Sequence, residues 1–265
     1  MTPDEVLAGI RDGNFHCGGI RCLRLFRLER DIARALRHEG IRLCSTEHGS
    51  DVSEREHVTN WTRPTGAVQQ FSLLNRSGDF ADFSDDHDLS CLGKRFCHAA
   101  RYPNLSKFIG YFEHAINFRI NVLGAGAGLS AHEEHSLFLG KAGTPSVRAR
   151  FHLPLWTSRS ARMTLEGDLH HFTPRTIYYF NQGCVHAAAN PGSLPRIHLV
   201  WDMLLTLQVF ELMFGDSPAP PGLRRVPAAA GSVRVLGSEP IRDYARLPPL
   251  VTLSEADRLS LSPVQ

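Results

Sequence analysis

The sequence predicts a mainly β fold with flanking helices, a sandwich or barrel, and two observations carry that expectation. From Phe118 onward, short runs rich in β-branched and aromatic residues follow one another at 118–123, 147–153, 161–165, 176–180 and 196–202, separated by Gly and Pro turns. Within them charged and apolar residues alternate, as in Arg148-Ala149-Arg150-Phe151-His152 and Arg196-Ile197-His198-Leu199. A strand turns alternate side chains to opposite faces, so each run presents basic groups to one side and apolar groups to the other.

The elements before these strands read as follows. Thr2-Pro3-Asp4-Glu5 has a capping threonine, a proline at the first helical position and a glutamate three residues after the cap, and Val6, Leu7 and Ile10 form an apolar stripe, giving a short helix ended near Gly13. Residues 19–28 are extended. The spacing of Ile32, Ala35 and Leu36 predicts a helix over 29–37, stopped by Gly40. Residues 45–66, with His57, Trp61 and Pro64, form a polar irregular loop, and 67–74 a strand. The stretch 77–93 is acidic, with Asp79, Asp82, Asp85, Asp86 and Asp88; it lacks the glycine and late glutamate of a calcium loop in register and reads as a solvated face. Leu105, Phe108, Ile109, Phe112 and Ile116 are spaced for a helix packing on a sheet. Past Trp201, residues 204–214 read as a helix, and Ser217 to Pro221 with Pro249 marks an irregular tail.

At 265 residues the chain can bury a full core without staples, and 42% apolar with 21% charged residues describes an ordinary globular protein. A net charge of +2 from 29 basic and 27 acidic side chains favours neither nucleic acid nor an anionic membrane, so a small partner is expected. The N-terminus shows no basic start followed by an apolar run, and no stretch approaches membrane-spanning length, so a cytoplasmic location is expected. Cys17, Cys22, Cys44, Cys91, Cys97 and Cys184 read as reduced thiols. The spacings Cys17–Cys22 and Cys91–Cys97 match no C-x-x-C zinc pattern.

His132 and Glu134 stand two positions apart, so a strand aims both at one point, and His186 stands at the end of another predicted strand before the turn Asn190-Pro191-Gly192. Two imidazoles and one carboxylate are the donor set of the facial triad that holds iron(II) on one face and leaves the opposite positions open. His132-Glu133-Glu134-His135 superficially resembles the H-E-x-x-H zinc helix, but Ser136 stands where the second histidine is needed. Glu133 is the alternative donor if the segment is helical, and the glycines at 124, 126 and 128 argue against a helix.

These motifs together resemble the aspartyl/asparaginyl β-hydroxylase family and the related bacterial proline hydroxylases. The likeness lies in Asn121 followed by the glycine-rich turn and His132, in Arg148-x-Arg150-x-His152-Leu153, and in His186 followed by Arg196 in Arg-Ile-His-Leu-Val-Trp-Asp; it covers roughly residues 118–203. It implies a double-stranded β-helix, the cupin-like jelly roll, using Fe(II), 2-oxoglutarate and O2. By that resemblance His132 and His186 are the iron histidines, and Glu134 stands where many members carry Asp. Arg196 grips the distal carboxylate of 2-oxoglutarate, His152 and Asn121 complete the cosubstrate site, and Arg150, with Arg148 beside it, faces a substrate carboxylate.

The implied activity is hydroxylation of an unactivated C–H of an amino acid, free, carrier-bound or in a peptide, with release of succinate and CO2. A related halogenase would lack the carboxylate that Glu134 supplies. A non-catalytic cupin-like metal-binding protein would have no use for the keto acid clamp of Arg196 and His152. The expected organisation is one dioxygenase domain over 1–265: a mixed α/β N-terminal elaboration over 1–116, a metal- and cosubstrate-binding jelly-roll core over 117–205, and a C-terminal helix and irregular tail over 206–265.

Overall fold

The computed structural model describes residues 22–52, 64–86, 88–132, 134, 137–139, 145–204, 207–215 and 217–227. The helix predicted over 2–13, Cys17, His57, Trp61, Glu133, His135 and the tail around Pro249 lie outside the described residues.

Two antiparallel sheets make up the jelly roll. The larger runs in the order β14 (Leu223–Arg225), β1 (Cys22–Leu28), β11 (Thr176–Phe180), β8 (Pro145–Trp156), β13 (Arg196–Leu204), β5 (Ala115–Leu123), β4 (Val68–Ser72), β2 (Ser50–Asp51), with β7 (Leu137–Leu139) added to β8. The smaller runs β10 (Asp168–His170), β9 (Arg162–Leu165), β12 (His186–Ala189), β6 (Gly128–His132), β3 (Pro64–Thr65). Strands β1, β2 and β4 belong to the larger sheet, so the sheet runs through the boundary expected at 116.

The alternation of β8 and β13 divides the molecule into two cores. Ala149, Phe151, Leu153 and Leu155 of β8 and Ile197, Leu199, Trp201 and Met203 of β13 pack with α1 (Arg30–Thr46), α2 (Pro103–Ile109) and α3 (Leu207–Met213) through Leu36, Leu43, Leu105, Phe108, Val209 and Met213. Trp201 is their centre: it stacks on Phe118 at 5.1 Å and meets Phe112 at 4.8 Å, Phe151 at 5.6 Å and Phe108 at 5.8 Å. Each such pair adds about 0.5–1.5 kcal/mol beyond the area it buries. A second cluster, with Val68, Leu123, Tyr178 and Phe180 from the larger sheet and Met163, Leu165 and Ala188 from the smaller, fills the space between the sheets.

Several elements differ from expectation for local reasons. Helix α1 continues through Gly40 to Thr46, because glycine there is a packing device and not a stop: a Cβ would sit 2.5 Å from Leu155 Cδ1. Helix α2 is shorter than predicted, since Ile116 joins β5. The open N–H groups of its first turn are met by the buried Glu39 of α1, which accepts from the backbone N–H of Asn104 at 3.1 Å and of Leu105 at 2.8 Å. The acidic stretch is tied down instead of solvated. Asp85 and Asp88 pair with Arg76, Asp86 with Arg119, and the buried Lys94 Nζ donates to the carbonyls of Asp85, Asp88 and Ile116.

The turn after β12 has one further role. Strands β12 and β13 do not pair with each other: β12 pairs β6 and β9, and β13 pairs β5 and β8. The turn therefore carries the chain from the smaller sheet to the larger, placing His186 and Arg196 on different walls. Buried Asn190 fastens it, its Nδ2 donating to the carbonyls of Leu123 at 3.0 Å, Gly124 at 2.8 Å and Leu194 at 2.8 Å. Replacing it by alanine strands buried acceptors. Asn190→Ala is expected to lower stability by about 1–3 kcal/mol in urea unfolding, and a loss below about 0.5 kcal/mol would show that the turn is held by other contacts.

Candidate functional site

On the face of the larger sheet turned toward the smaller one, the strands present polar side chains instead of a continuous apolar lining. Strand β13 contributes Arg196, His198 and Asp202, paired in register with Leu123, Asn121 and Asn117 of β5, while β8 sets Arg150 opposite Asp202 and His152 opposite Val200. Arg150, His152, Arg196, His198 and Asp202 are all buried.

His132 and His186 are direct cross-strand partners on β6 and β12, with ring centroids 4.1 Å apart. Each ring is oriented by the backbone two residues before it: His132 Nδ1 lies 2.7 Å from the Ser130 carbonyl and His186 Nδ1 2.8 Å from that of Cys184. A carbonyl only accepts, so each Nδ1 carries a proton, which leaves Nε2 as the nitrogen of each ring able to bind a metal. Both Nε2 atoms are 4.0 Å from the same oxygen, Oε1 of Glu134, whose backbone N–H is fixed 2.9 Å from the Gln182 carbonyl. The donor atoms of the trio lie within 4.8 Å of one another. Burial and neighbouring His132 push the His186 ring down to about 3, so it stays neutral and ready to coordinate. The residue types, the free Nε2 atoms and their convergence fit a divalent metal of the facial-triad kind.

Beside this trio lies a knot of ion pairs. Asp202, fully buried, receives Arg150 through Nε at 2.8 Å and Nη2 at 3.0 Å, Arg148 through Nε at 3.0 Å, Arg119 at 3.4 Å and the Asn117 amide at 2.9 Å. Arg150 Nη1 also bonds Glu134 Oε1, and Arg148 Nη2 lies 3.5 Å from Glu134 Oε2. Burial alone would raise the Glu134 carboxyl, but Arg150, Arg148 and Arg119 reverse this and hold it below the usual carboxylate range. Arg148 and Arg150, expected to face a substrate carboxylate, are here paired with two carboxylates of the chain itself.

Arg196 is in the opposite condition. It is buried, its Nη2 contacts the Met163 thioether at 2.9 Å and His198 Nδ1 at 3.0 Å, and burial alone pushes it down to about 9. Among the described residues no carboxylate pairs with it. Nearby, both ring nitrogens of buried His152 lack partners among the described residues, as do Nε2 of His198 and Oδ1 of Asn121. Phe180 sits between His152 and His186, 4.9 Å from each ring centroid. A buried cation without an anion among the described residues, flanked by unpaired imidazole nitrogens of His152 and His198, fits a small dicarboxylate that brings acceptors for the guanidinium and the ring N–H groups.

The sequence points to the His132–Glu134–His186 donor trio, Arg196, His152 and Asn121, and the structure brings the trio together and sets Arg196 and His152 on the facing wall. Sequence reasoning did not single out Asp202 or Met163. His198 reads in sequence as a hydrogen-bonded core histidine; it is buried, and its partner is Arg196 itself. The signal for Asp202 was its even spacing from Arg196 along β13, which puts both on one face. The described cysteines, Cys22, Cys44, Cys91, Cys97 and Cys184, form no disulfide. Among the described residues no helix is long and apolar enough to cross a membrane.

A family model described as aspartyl/asparaginyl beta-hydroxylase matches residues 34–205, which begins well upstream of the motif region. No curated protein matches the chain. Among solved structures, a prolyl-4-hydroxylase from Pseudomonas putida is 17% identical, with 77% of this chain and 99% of that one covered and a TM-score of 0.42. A non-heme alpha-ketoglutarate-dependent epimerase from nogalamycin biosynthesis is 11% identical over 86% and 96%, at 0.44. A predicted oxalate decarboxylase from Thermotoga maritima is 12% identical over 61% and 96%, at 0.36.

The buried histidines make stability pH-dependent. Burial, with Arg196 nearby, holds both His152 and His198 well below the ordinary value of 6.5, so they are neutral when folded and take up protons on unfolding. Lowered histidine values contribute stability that is lost as pH falls below 6.5; the lowered Asp202 acts only further down, below 3.8. Between these limits the metal-free protein is expected to lose up to about 1.4 kcal/mol per pH unit for each such histidine. His152→Gln should flatten the slope of unfolding free energy against pH by one proton, and an unchanged slope would show His152 to be charged in the fold.

Proposed function

Because the chain belongs to the aspartyl/asparaginyl β-hydroxylase family, we propose that it is an Fe(II)- and 2-oxoglutarate-dependent dioxygenase. It hydroxylates an unactivated C–H of an amino acid, free, carrier-bound or within a peptide. The observation that supports this most is the pairing of two sites: a His132–Glu134–His186 donor trio, and, on the facing wall, a buried Arg196 without a carboxylate partner among the described residues.

In this reading His132 and His186 bind iron through Nε2, with Glu134 as third donor. Arg196 takes the distal carboxylate of 2-oxoglutarate, a task suited to a planar guanidinium fork. His152 and Asn121 supply the unpaired polar atoms that finish the cosubstrate site. When bound, the iron and the keto acid supply the oxidation, in which one atom of O2 goes to succinate as CO2 leaves and the other goes to the substrate carbon. The chain's own contribution is placement and exclusion of water: Phe180, Phe172 and Tyr178 wall the region around His152, and Tyr178 is fixed by Thr173. Arg148 and Arg150 reach a substrate carboxylate or carbonyl from beside the metal donors.

Anaerobic protein with Fe(II) and 2-oxoglutarate is expected to show a weak visible charge-transfer band, absent in His186→Ala; a normal band in that variant removes His186 from the metal site. Arg196→Met should weaken 2-oxoglutarate binding at least about 30-fold in calorimetry, since it removes one partner of a buried charge pair. Screening amino acids and acidic peptides for succinate release coupled to a gain of one oxygen would identify the substrate.

A further inference from the structure

The same oxygen of Glu134 is claimed twice. Oε1 lies 4.0 Å from both histidine Nε2 atoms, where a metal would take it, and it is also the atom bonded to Arg150 Nη1. Arg148 approaches the other oxygen. Two buried or nearly buried guanidiniums thus compete with the metal for one carboxylate.

What limits that competition is Asp202. The knot contains three guanidiniums, Arg119, Arg148 and Arg150, and three carboxylates, Asp86, Glu134 and Asp202. Arg119 has Asp86 as a second partner. Arg148 and Arg150 have only Glu134 besides Asp202 among the described residues. Asp202 takes Arg150 by Nε and Nη2 together, so a single Nη1 is left directed at Glu134. If the charge of Asp202 were removed, both arginines would turn to Glu134 as their remaining carboxylate, since a buried cation without a counter-ion is strongly disfavoured.

We propose that Asp202 is a positioning residue of the metal centre: it is the counter-ion that keeps Arg148 and Arg150 from withdrawing Glu134 from the donor set. This inference rests on the metal site proposed above. Because Glu134 links the two, metal binding also loosens the hold on Arg150 Nη1 and prepares that group for an external carboxylate.

The test uses Co(II) as probe, with affinity from calorimetry and coordination from the visible Co(II) spectrum, on the full chain shown to be folded by circular dichroism. Asp202→Asn is expected to weaken Co(II) binding about 10- to 100-fold, the usual range for a group that supports a metal ligand from behind. Arg150→Met, which removes the competitor and leaves Asp202 paired with Arg148 and Arg119, is expected to tighten it roughly threefold or more. In the Arg150→Met background, Asp202→Asn should cost less than about one third of its effect in the wild type, the signature of coupled residues. Wild-type affinity in folded Asp202→Asn, or additive effects in the double variant, overturns the proposal. So does unchanged or weaker binding in Arg150→Met, which decides the matter even if Asp202→Asn does not fold. Wild-type protein that binds no Co(II), or binding undisturbed in His186→Ala, refutes the metal site itself. Binding lost in His186→Ala yet unmoved in Asp202→Asn refutes the role of Asp202 alone.

Discussion

Strand β13 has to satisfy two environments at once, and the rest of the structure follows from how it does so. Its odd-numbered residues, Ile197, Leu199, Trp201 and Met203, enter the aromatic core beneath the helices, and three of its even-numbered ones, Arg196, His198 and Asp202, enter the space between the sheets. A register slip of one residue would put guanidinium and carboxylate into the aromatic core and Trp201 into the polar site. Register is therefore fixed by the cost of both errors. Neighbouring β8 repeats the rule with Arg150 and His152 on one side and Phe151 and Leu153 on the other. The helices act through this constraint: by covering the aromatic face they leave the other face of the same strands free for chemistry.

Buried charge is handled in two contrasting ways on that face. Around Asp202 the charges are matched within the chain, and the carboxyl stays far below its usual range because Arg148, Arg150 and Arg119 more than offset the burial that would raise it. At Arg196 the charge is left unmatched among the described residues, with a thioether and an imidazole as partners. A protein interior tolerates such a cation at a cost in stability, and the cost is recovered when an anion arrives. The knot satisfies its charges within the chain, and in the proposed function the unmatched arginine is where an added anion binds. Glu134 stands at the edge of the knot, shared between its arginines and the histidine pair.

Much of this was legible in the sequence because it depends on period-two alternation. The strands and the common face of Arg150 and His152 follow from strand geometry, and the order of the motifs pointed to the family; His132 and Glu134 do converge, but β6 ends at His132 and Glu134 is placed by its backbone N–H on the Gln182 carbonyl. What sequence could not show were pairings set by tertiary contact. Gly40 reads as a helix stop until Leu155 is seen pressing on it. The aspartates of the 77–93 stretch read as solvated until Arg76, Lys94 and Arg119 are placed among them. Arg148 and Arg150 read as facing a substrate carboxylate and not as paired within the chain, because their partner Asp202 lies some fifty positions away and is brought opposite only by β8–β13 pairing. The turn at Asn190 was visible, but not that it crosses between sheets.

A crystal structure of the Mn(II)-loaded protein with 2-oxoglutarate, grown without oxygen, tests the central claim most directly. The metal should be bound by Nε2 of His132 and His186 with Glu134 completing the protein donors, and the distal carboxylate of the keto acid should lie on Arg196. Metal bound elsewhere, or a keto acid that leaves Arg196 without a carboxylate, would contradict it.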